Sequence, residues 1–311
     1  MPKNLLAGGG LCHVHCLMND ATINGTADDP SPEAPLPPGL YIVATPIGNL
    51  GDLSPRAASI LSRAETIAVE DSRVTAKLLN RLGVKRRMTP YHDHSGDHVR
   101  PALIARMATE AVALVSDAGT PLISDPGYKL VRDARDAGIA VTTIPGPCAA
   151  VAALTLAGLP TDRFFFLGFL PSKEKARADA IAEVASVRAT LILYESGPRL
   201  AATLSALERG LGDREAAVVR EISKTFEESV TAPLSALAAR YLENGGPKGE
   251  IVIVVGPPGE APAATDADAD ILLRDALNRL SVGQAASEVA KATGLNRREL
   301  YSRAMAIRGE S

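Results

Sequence analysis

The chain has 311 residues, of which 46% are apolar and 22% charged, the profile of an ordinary soluble protein of about two packed domains. Three cysteines, Cys12, Cys16 and Cys148, exclude a disulfide framework and fit a reducing cytoplasm, and no apolar stretch approaches the ~20 residues needed to span a bilayer. The formal charge of −3 argues against a protein held on nucleic acid by phosphate contacts alone.

Residues 1–39 read as a disordered acidic tail, with Gly8 to Gly10, five prolines from Pro30 to Pro38, and Asp20, Asp28, Asp29 and Glu33 against Lys3. The start lacks the charged segment and cleavage site of a signal peptide. Cys12-His13-Val14-His15-Cys16 has no second ligand set at zinc-finger spacing, so no metal is expected.

From Leu40 strand and helix signals alternate. Apolar runs at 40–44, 66–70, 88–92, 112–117 and 139–144, separated by helical-period stretches, predict a mostly parallel α/β domain over 40–160. Ser54 before Pro55 reads as an N-cap and first helical position; Gly83 and Gly138 sit where glycines close helices. Two proline- and glycine-rich loops follow the first and fourth strands: Thr45 to Asp52 and Ser116 to Gly127. Open α/β sheets bind ligands at such strand ends, and these loops offer main-chain groups rather than charge. The chain has no phosphate-cradling G-x-x-x-x-G-K-[ST] and no G-x-G-x-x-G after its first strand.

A second α/β domain is expected over 161–258, with strands at 164–168, 190–195, 216–222, 226–231 and 250–256. The third and fourth of these are too close for a crossover, so they form a hairpin in a mixed sheet. Phe164, Phe165, Phe166 and Phe169 are four of the chain's five phenylalanines, and alternation along the strand buries most of them between the domains.

Residues 259–270 read as a solvated linker, and 271–311 as a helical C-terminal unit. Ser281 with Gln284 and Asn296 with Glu299 have capping-box spacing, giving two helices in helix-turn-helix-like wording. This unit has seven Lys/Arg against four Asp/Glu. Arg297 and Arg298 in a first helical turn oppose the helix dipole, an arrangement that suits a nearby phosphate; a solvated basic face on a small capping unit is the alternative. The tail carries −3 and residues 260–270 carry −4, leaving +4 on the rest. Lys85, Arg86, Arg87, Arg220, Arg297, Arg298 and Arg303 are the candidate phosphate contacts.

Nine segments in order carry a resemblance: LYIVATPIGNLGDLSPRA, AVEDSR, YHDH, LVSDAGTPLISDPGYKLVR, IPGPCAAVAAL, GLPTDRFFFLGFLP, LYESGPR, REISKTFEE and KGEIVIVV. They are dense from Leu40 to Gly256. The chain resembles the tetrapyrrole methylase superfamily, and within it the branch that methylates a cytidine 2′-oxygen in 16S ribosomal RNA. The resemblance implies two α/β domains with S-adenosylmethionine in the cleft between them, and a homodimer. Carried over by position, the cofactor residues are Pro46, Ile47, Gly48, Asp117, Ala118, Gly119, Thr120, Cys148, Ala149, Tyr194 and Ile251. The first loop departs from the G-x-G-x-G-D of the tetrapyrrole-forming relatives, which argues for the RNA branch.

Methyl transfer to a ribose hydroxyl is helped by a base, and Glu70, Asp71, His92, His94 and Glu221 are the candidates. Asp71 is equally placed to cap a helix. Two other functions stay open: a methylase of a tetrapyrrole or other small metabolite, and a non-catalytic ligand-sensing DNA-binding regulator.

Overall fold

The computed structural model describes residues 34–92, 96–259 and 266–309. Most of the expected tail, the Cys12 to Cys16 cluster and His94 lie outside the described residues. The chain divides into two compact units, Met1–Thr45 with Gly51–Gly146, and Pro46–Leu50 with Pro147–Ser311.

The first unit is built on five strands: β1 (Gly39–Val43), β2 (Thr66–Val69), β3 (Arg87–Pro90), β4 (Ala111–Val115) and β5 (Val141–Ile144). They form one parallel sheet in the order β3-β2-β4-β1-β5. Every residue of β2 and β4 is buried, and each fully buried Val or Leu contributes roughly 1.5–3 kcal/mol. Helices α1 (Pro55–Arg63), α2 (Ser72–Arg81), α3 (Gly96–Met107) and α4 (Tyr128–Asp136) make the crossovers. The expected caps are present. The Ser54 hydroxyl accepts the Ala57 N–H at 3.1 Å with Pro55 in the first turn, and Gly83 and Gly138 take left-handed φ of 68° and 72° beyond α2 and α4. The tail ends earlier than expected: Leu36 is buried in the core, and the Arg63 guanidinium donates to the Ala34 carbonyl at 3.0 Å.

The second unit carries the mixed sheet, in the order β6-β7-β10-β8-β9: β6 (Phe164–Phe169), β7 (Thr190–Ser196), β8 (Glu215–Arg220), β9 (Glu228–Pro233) and β10 (Glu250–Val255). β6 and β7 are parallel; the β8–β9 hairpin and both neighbours of β10 are antiparallel. Helices α6 (Glu174–Val184), α7 (Leu200–Leu211) and α8 (Leu234–Asn244) cover one face, and α5 (Ala149–Leu156) covers the other. The boundary expected near residue 160 therefore falls at 146. Ala150, Ala153 and Leu154 of α5 bury themselves against Ile192, Val252 and Val254, so α5 goes with the second sheet.

Two further expectations change. The fourth strand of this sheet starts at Glu228 rather than Phe226, which leaves Phe226 in the preceding turn and 74% exposed. Phe164, Phe165 and Phe169 are exposed as well, and of the four only Phe166 joins a core cluster, because β6 is an edge strand.

The C-terminal residues form three helices rather than two: α9 (Asp266–Leu277), α10 (Val282–Thr293) and α11 (Arg297–Gly309). The expected linker is shorter because the ADADILLRDAL run has helical period, placing Ala269, Leu273 and Ala276 in the core of this bundle. Gln284 accepts the Ser281 N–H at 3.3 Å, and Asn296 accepts the Arg298 N–H at 2.8 Å.

Candidate active site

A parallel sheet aligns the carboxyl ends of its strands, so neighbouring strands place their following residues side by side. In the first unit the order β3-β2-β4 brings His92, then Glu70 and Asp71, then Asp117 to one edge. The Asp71 N–H donates to Asp117 Oδ1 at 2.9 Å, and the Asp117 N–H donates to Glu70 Oε2 at 3.4 Å. Gly119 and Thr45 exchange backbone hydrogen bonds at 2.8 and 3.1 Å, which fixes the Ser116 to Thr120 turn against the end of β1. Asp117 is exposed, while Ala118, Thr120 and the buried Gly119 supply main chain and small side chains. Gly146 approaches β1 so closely that a Cβ there would stand 2.9 Å from the Ala44 methyl.

Asp71 is occupied. It caps α2 by accepting the Arg73 N–H at 2.8 Å and takes two guanidinium bonds from Arg73 at 2.6 and 3.0 Å. The Arg73 hydrogen bond holds its carboxyl down to about 2, so it is a weak proton acceptor. His92 follows the buried Tyr91 and is exposed.

In the second unit the Tyr194 hydroxyl accepts the Ala150 N–H at 3.2 Å, tying the middle of the sheet to the first turn of α5. Cys148 occupies the N-cap of α5 without a side-chain cap bond, and Ala149 follows it. The Tyr194 ring meets Phe166 and Phe169 edge-on, with centroids 5.0 and 5.6 Å away. Cys148, Ala149 and Tyr194 are thus brought together. Ile251 is not among them. It pairs with Glu195 and is buried on the opposite face with Leu200, Leu204 and Leu237, whereas Val252 pairs with Tyr194. Pro46, Ile47 and Gly48 belong to this unit, with Gly48 beneath the stem of Lys224.

The basic residues divide into occupied and open. Lys85, Arg86 and Arg87 lead into β3, at the amino edge of the parallel sheet and away from Glu70 and Asp117. The Arg86 guanidinium caps α1 by donating to the Ser62 carbonyl at 2.8 Å. Arg220 is paired with Glu228 at 2.5 Å, and Arg303 makes two bonds of 2.9 Å to Asp270, joining α11 to α9. These three arginines are structural, while Lys85, Arg87, Arg297 and Arg298 are exposed.

The Arg303 hydrogen bond also lowers the Asp270 carboxyl below its ordinary value of 3.8. A carboxylate with a depressed folded value adds stability above its unfolded value and loses it as pH falls through the folded one. The C-terminal helices are therefore expected to lose hydrogen-exchange protection below about pH 4. Asp270→Asn should flatten that acid dependence and lower protection at neutral pH; an unchanged acid profile would contradict the pairing.

Sequence reasoning missed Lys224 and Phe226 in the β8–β9 turn, and a buried network around Glu195. The Glu195 side chain is 1% exposed, accepts from Thr203 Oγ1 at 2.7 Å, and pairs with Arg199 at 3.3 Å. Gly48 and Gly249, whose Cβ positions fall on Lys224 and Glu221, were the available signals.

Among the described residues there is no group of three or more His, Cys, Asp and Glu suited to a metal, and no helix long and apolar enough to cross a membrane.

Residues 39–238 match the family described as Tetrapyrrole (Corrin/Porphyrin) Methylases, and residues 263–308 the RsmI C-terminal HTH domain. The chain is 56% identical over 274 residues to "Ribosomal RNA small subunit methyltransferase I" of Erythrobacter litoralis, covering 88% of this chain and 97% of that one. It belongs to the ribosomal RNA small subunit methyltransferase I family. The Mesorhizobium japonicum member is 50% identical over 282 residues, covering 90% of this chain and 96% of its own. The fold extends to uroporphyrin-III C-methyltransferase of Thermus thermophilus, solved with S-adenosyl homocysteine: TM-score 0.50 at 22% identity, over 70% of this chain and 97% of that one. Both sheets and the C-terminal helices of the present chain are thus accounted for within the ribosomal RNA small subunit methyltransferase I family.

Proposed function

We propose that this chain transfers a methyl group from S-adenosylmethionine to the 2′-oxygen of a cytidine ribose in 16S ribosomal RNA of the small subunit. The observation that carries the reading is the 56% identity to the Erythrobacter litoralis methyltransferase over 88% of this chain, beside the match of residues 263–308 to the RsmI C-terminal HTH domain.

The residues fit the cofactor. An adenosine-bearing cofactor needs apolar walls and main-chain partners. The turn at Ser116 to Thr120 is acidic and otherwise small, and Tyr194 with Phe166 makes a ring wall beside Ala149 and Ala150. Asp117, Ala118, Gly119, Thr120, Pro46, Ile47, Gly48, Cys148, Ala149 and Tyr194 are the assigned cofactor residues. Ile251 can take part only through its main chain, since its side chain is buried on the far face of its sheet. When bound, the cofactor supplies a methyl group on a positively charged sulfur; the chain's part is to orient the ribose and take its proton.

Lys85, Arg87, Arg297 and Arg298 are the assigned RNA contacts, with a cytoplasmic enzyme acting on a ribosomal particle. The three exposed phenylalanines of edge strand β6 favour a homodimer, because an uncovered apolar edge strand pairs readily with another chain. Incubating the protein with labelled S-adenosylmethionine and small subunits from cells lacking this modification, then digesting to nucleosides, tests the reading. Label in 2′-O-methylcytidine supports it. Cofactor binding with no label in subunits or naked RNA gives first place to the small-metabolite methylase.

A further inference from the structure

The turn between β8 and β9 holds two non-glycine residues in left-handed backbone, Glu221 at φ 51° and Ser223 at φ 67°. Side chains seldom adopt this conformation, and where they do it marks a site whose geometry is imposed from outside. The Lys224 N–H donates to the Glu221 carbonyl at 3.0 Å, and the Ser223 N–H to Glu227 Oε2 at 2.7 Å. So closed, the turn sets Lys224 Nζ 3.1 Å from Glu221 Oε1.

Both side chains rest on glycines from other segments of the same unit. A Cβ on Gly48 would stand 2.5 Å from the Lys224 stem, and one on Gly249 would collide with the Glu221 carboxylate. The side chains are 32% and 21% exposed, and a pair so placed contributes little to stability. Stability from the pair therefore does not account for the strained turn that holds it. Among the described residues, the second oxygen of Glu221 and the other two N–H bonds of Lys224 have no protein partner.

An acceptor and a donor held side by side match an alcohol, which donates one hydrogen bond and accepts another. We infer that Glu221 and Lys224 are the catalytic pair for the ribose hydroxyl, an inference that rests on the ribose methylation proposed above. The Glu221 carboxylate takes the 2′-hydroxyl proton as the oxygen lone pair forms the new O–C bond. The C–S electron pair stays on sulfur, which becomes a neutral thioether. Lys224 donates to the oxygen as charge develops on it, and the proton on Glu221 passes to solvent. Asp71, another candidate carboxylate, is committed to Arg73 and the cap of α2.

The test uses the full chain, single-turnover transfer to unmethylated small subunits, and separate measurements of cofactor and subunit affinity. Wild type must first yield 2′-O-methylcytidine; a methylated base or no transfer sinks the ribose reading itself, and the pair with it. Given that product, Glu221→Gln and Lys224→Gln are each expected to lower the rate about 100-fold, with both affinities within about twofold. Lys224→Arg should recover about tenfold, and the double variant should be little worse than either single one, as for residues acting as a unit. Full-rate transfer by Glu221→Gln, or rate losses that merely follow lost cofactor affinity or lost folding in both single variants, would overturn the inference.

Discussion

Gly197→Ala is expected to cost about 3 kcal/mol or more, a large share of the roughly 5–15 kcal/mol that holds a domain folded. Gly197 follows β7, and Pro247 lies three residues before β10; the two strands pair antiparallel, with Ser196 opposite Glu250. At that junction the chain crosses itself so closely that a Cβ on Gly197 would overlap the Pro247 carbonyl oxygen, and one on Gly246 the Gly197 carbonyl. Both obstacles are main chain, so no rotamer change relieves them. The strands must part, and β7 and β10 occupy the middle of the second sheet. Gly83→Ala is the internal contrast, since nothing stands within 4 Å of its Cβ position and only the left-handed φ of 68° is strained. That costs about 1 kcal/mol. Urea unfolding separates the two: a Gly197→Ala midpoint no lower than that of Gly83→Ala would refute the crossing.

How much of this was legible in the sequence depends on whether a local pattern existed to read. The parallel sheet was, because β-branched runs alternate with helical periods and Ser54, Gly83 and Gly138 mark helix ends by their own stereochemistry. The antiparallel β8–β9 pair was too, from the short spacing between its strands. The face of β10 was not. EIVIVV is apolar at five consecutive positions because α5 covers one side and α7 and α8 the other, so alternation could not tell Ile251 from Val252. Nor was the unit to which α5 belongs, since AAVAALTL is apolar on every side and fits either sheet. For Phe164, Phe165 and Phe169 the residue type suggested burial, but edge position is a property of strand order. Glu221 and Lys224 carry no sequence signature as a pair, because left-handed backbone at Glu221 is imposed by the turn rather than preferred by the residue.

A chain ending at Gly259 is expected to bind S-adenosylmethionine within about twofold of the full chain, yet to methylate small subunits at least about 100-fold less efficiently. Ala269, Leu273, Val282, Ala286, Val289, Leu300 and Ala304 form a core drawn entirely from α9 to α11, so truncation removes a bundle with its own apolar centre. The tetrapyrrole methylase match ends at 238, before that bundle begins. Arg297, Arg298, Lys291 and Arg308 are exposed on the bundle, whereas Arg220 and Arg86 are paired elsewhere, so truncation takes away several of the open cations. Each lost phosphate contact lowers affinity and flattens its salt dependence, by about one unit of log–log slope. Arg297→Ala with Arg298→Ala should therefore give an intermediate loss, with the slope reduced by about two and the rate on saturating subunits unchanged. Full activity in the truncated chain would make the bundle a solvated capping unit. Loss of cofactor binding along with activity would make it part of the catalytic scaffold, and only the split between the two supports a bundle that delivers RNA to an otherwise complete methyltransferase.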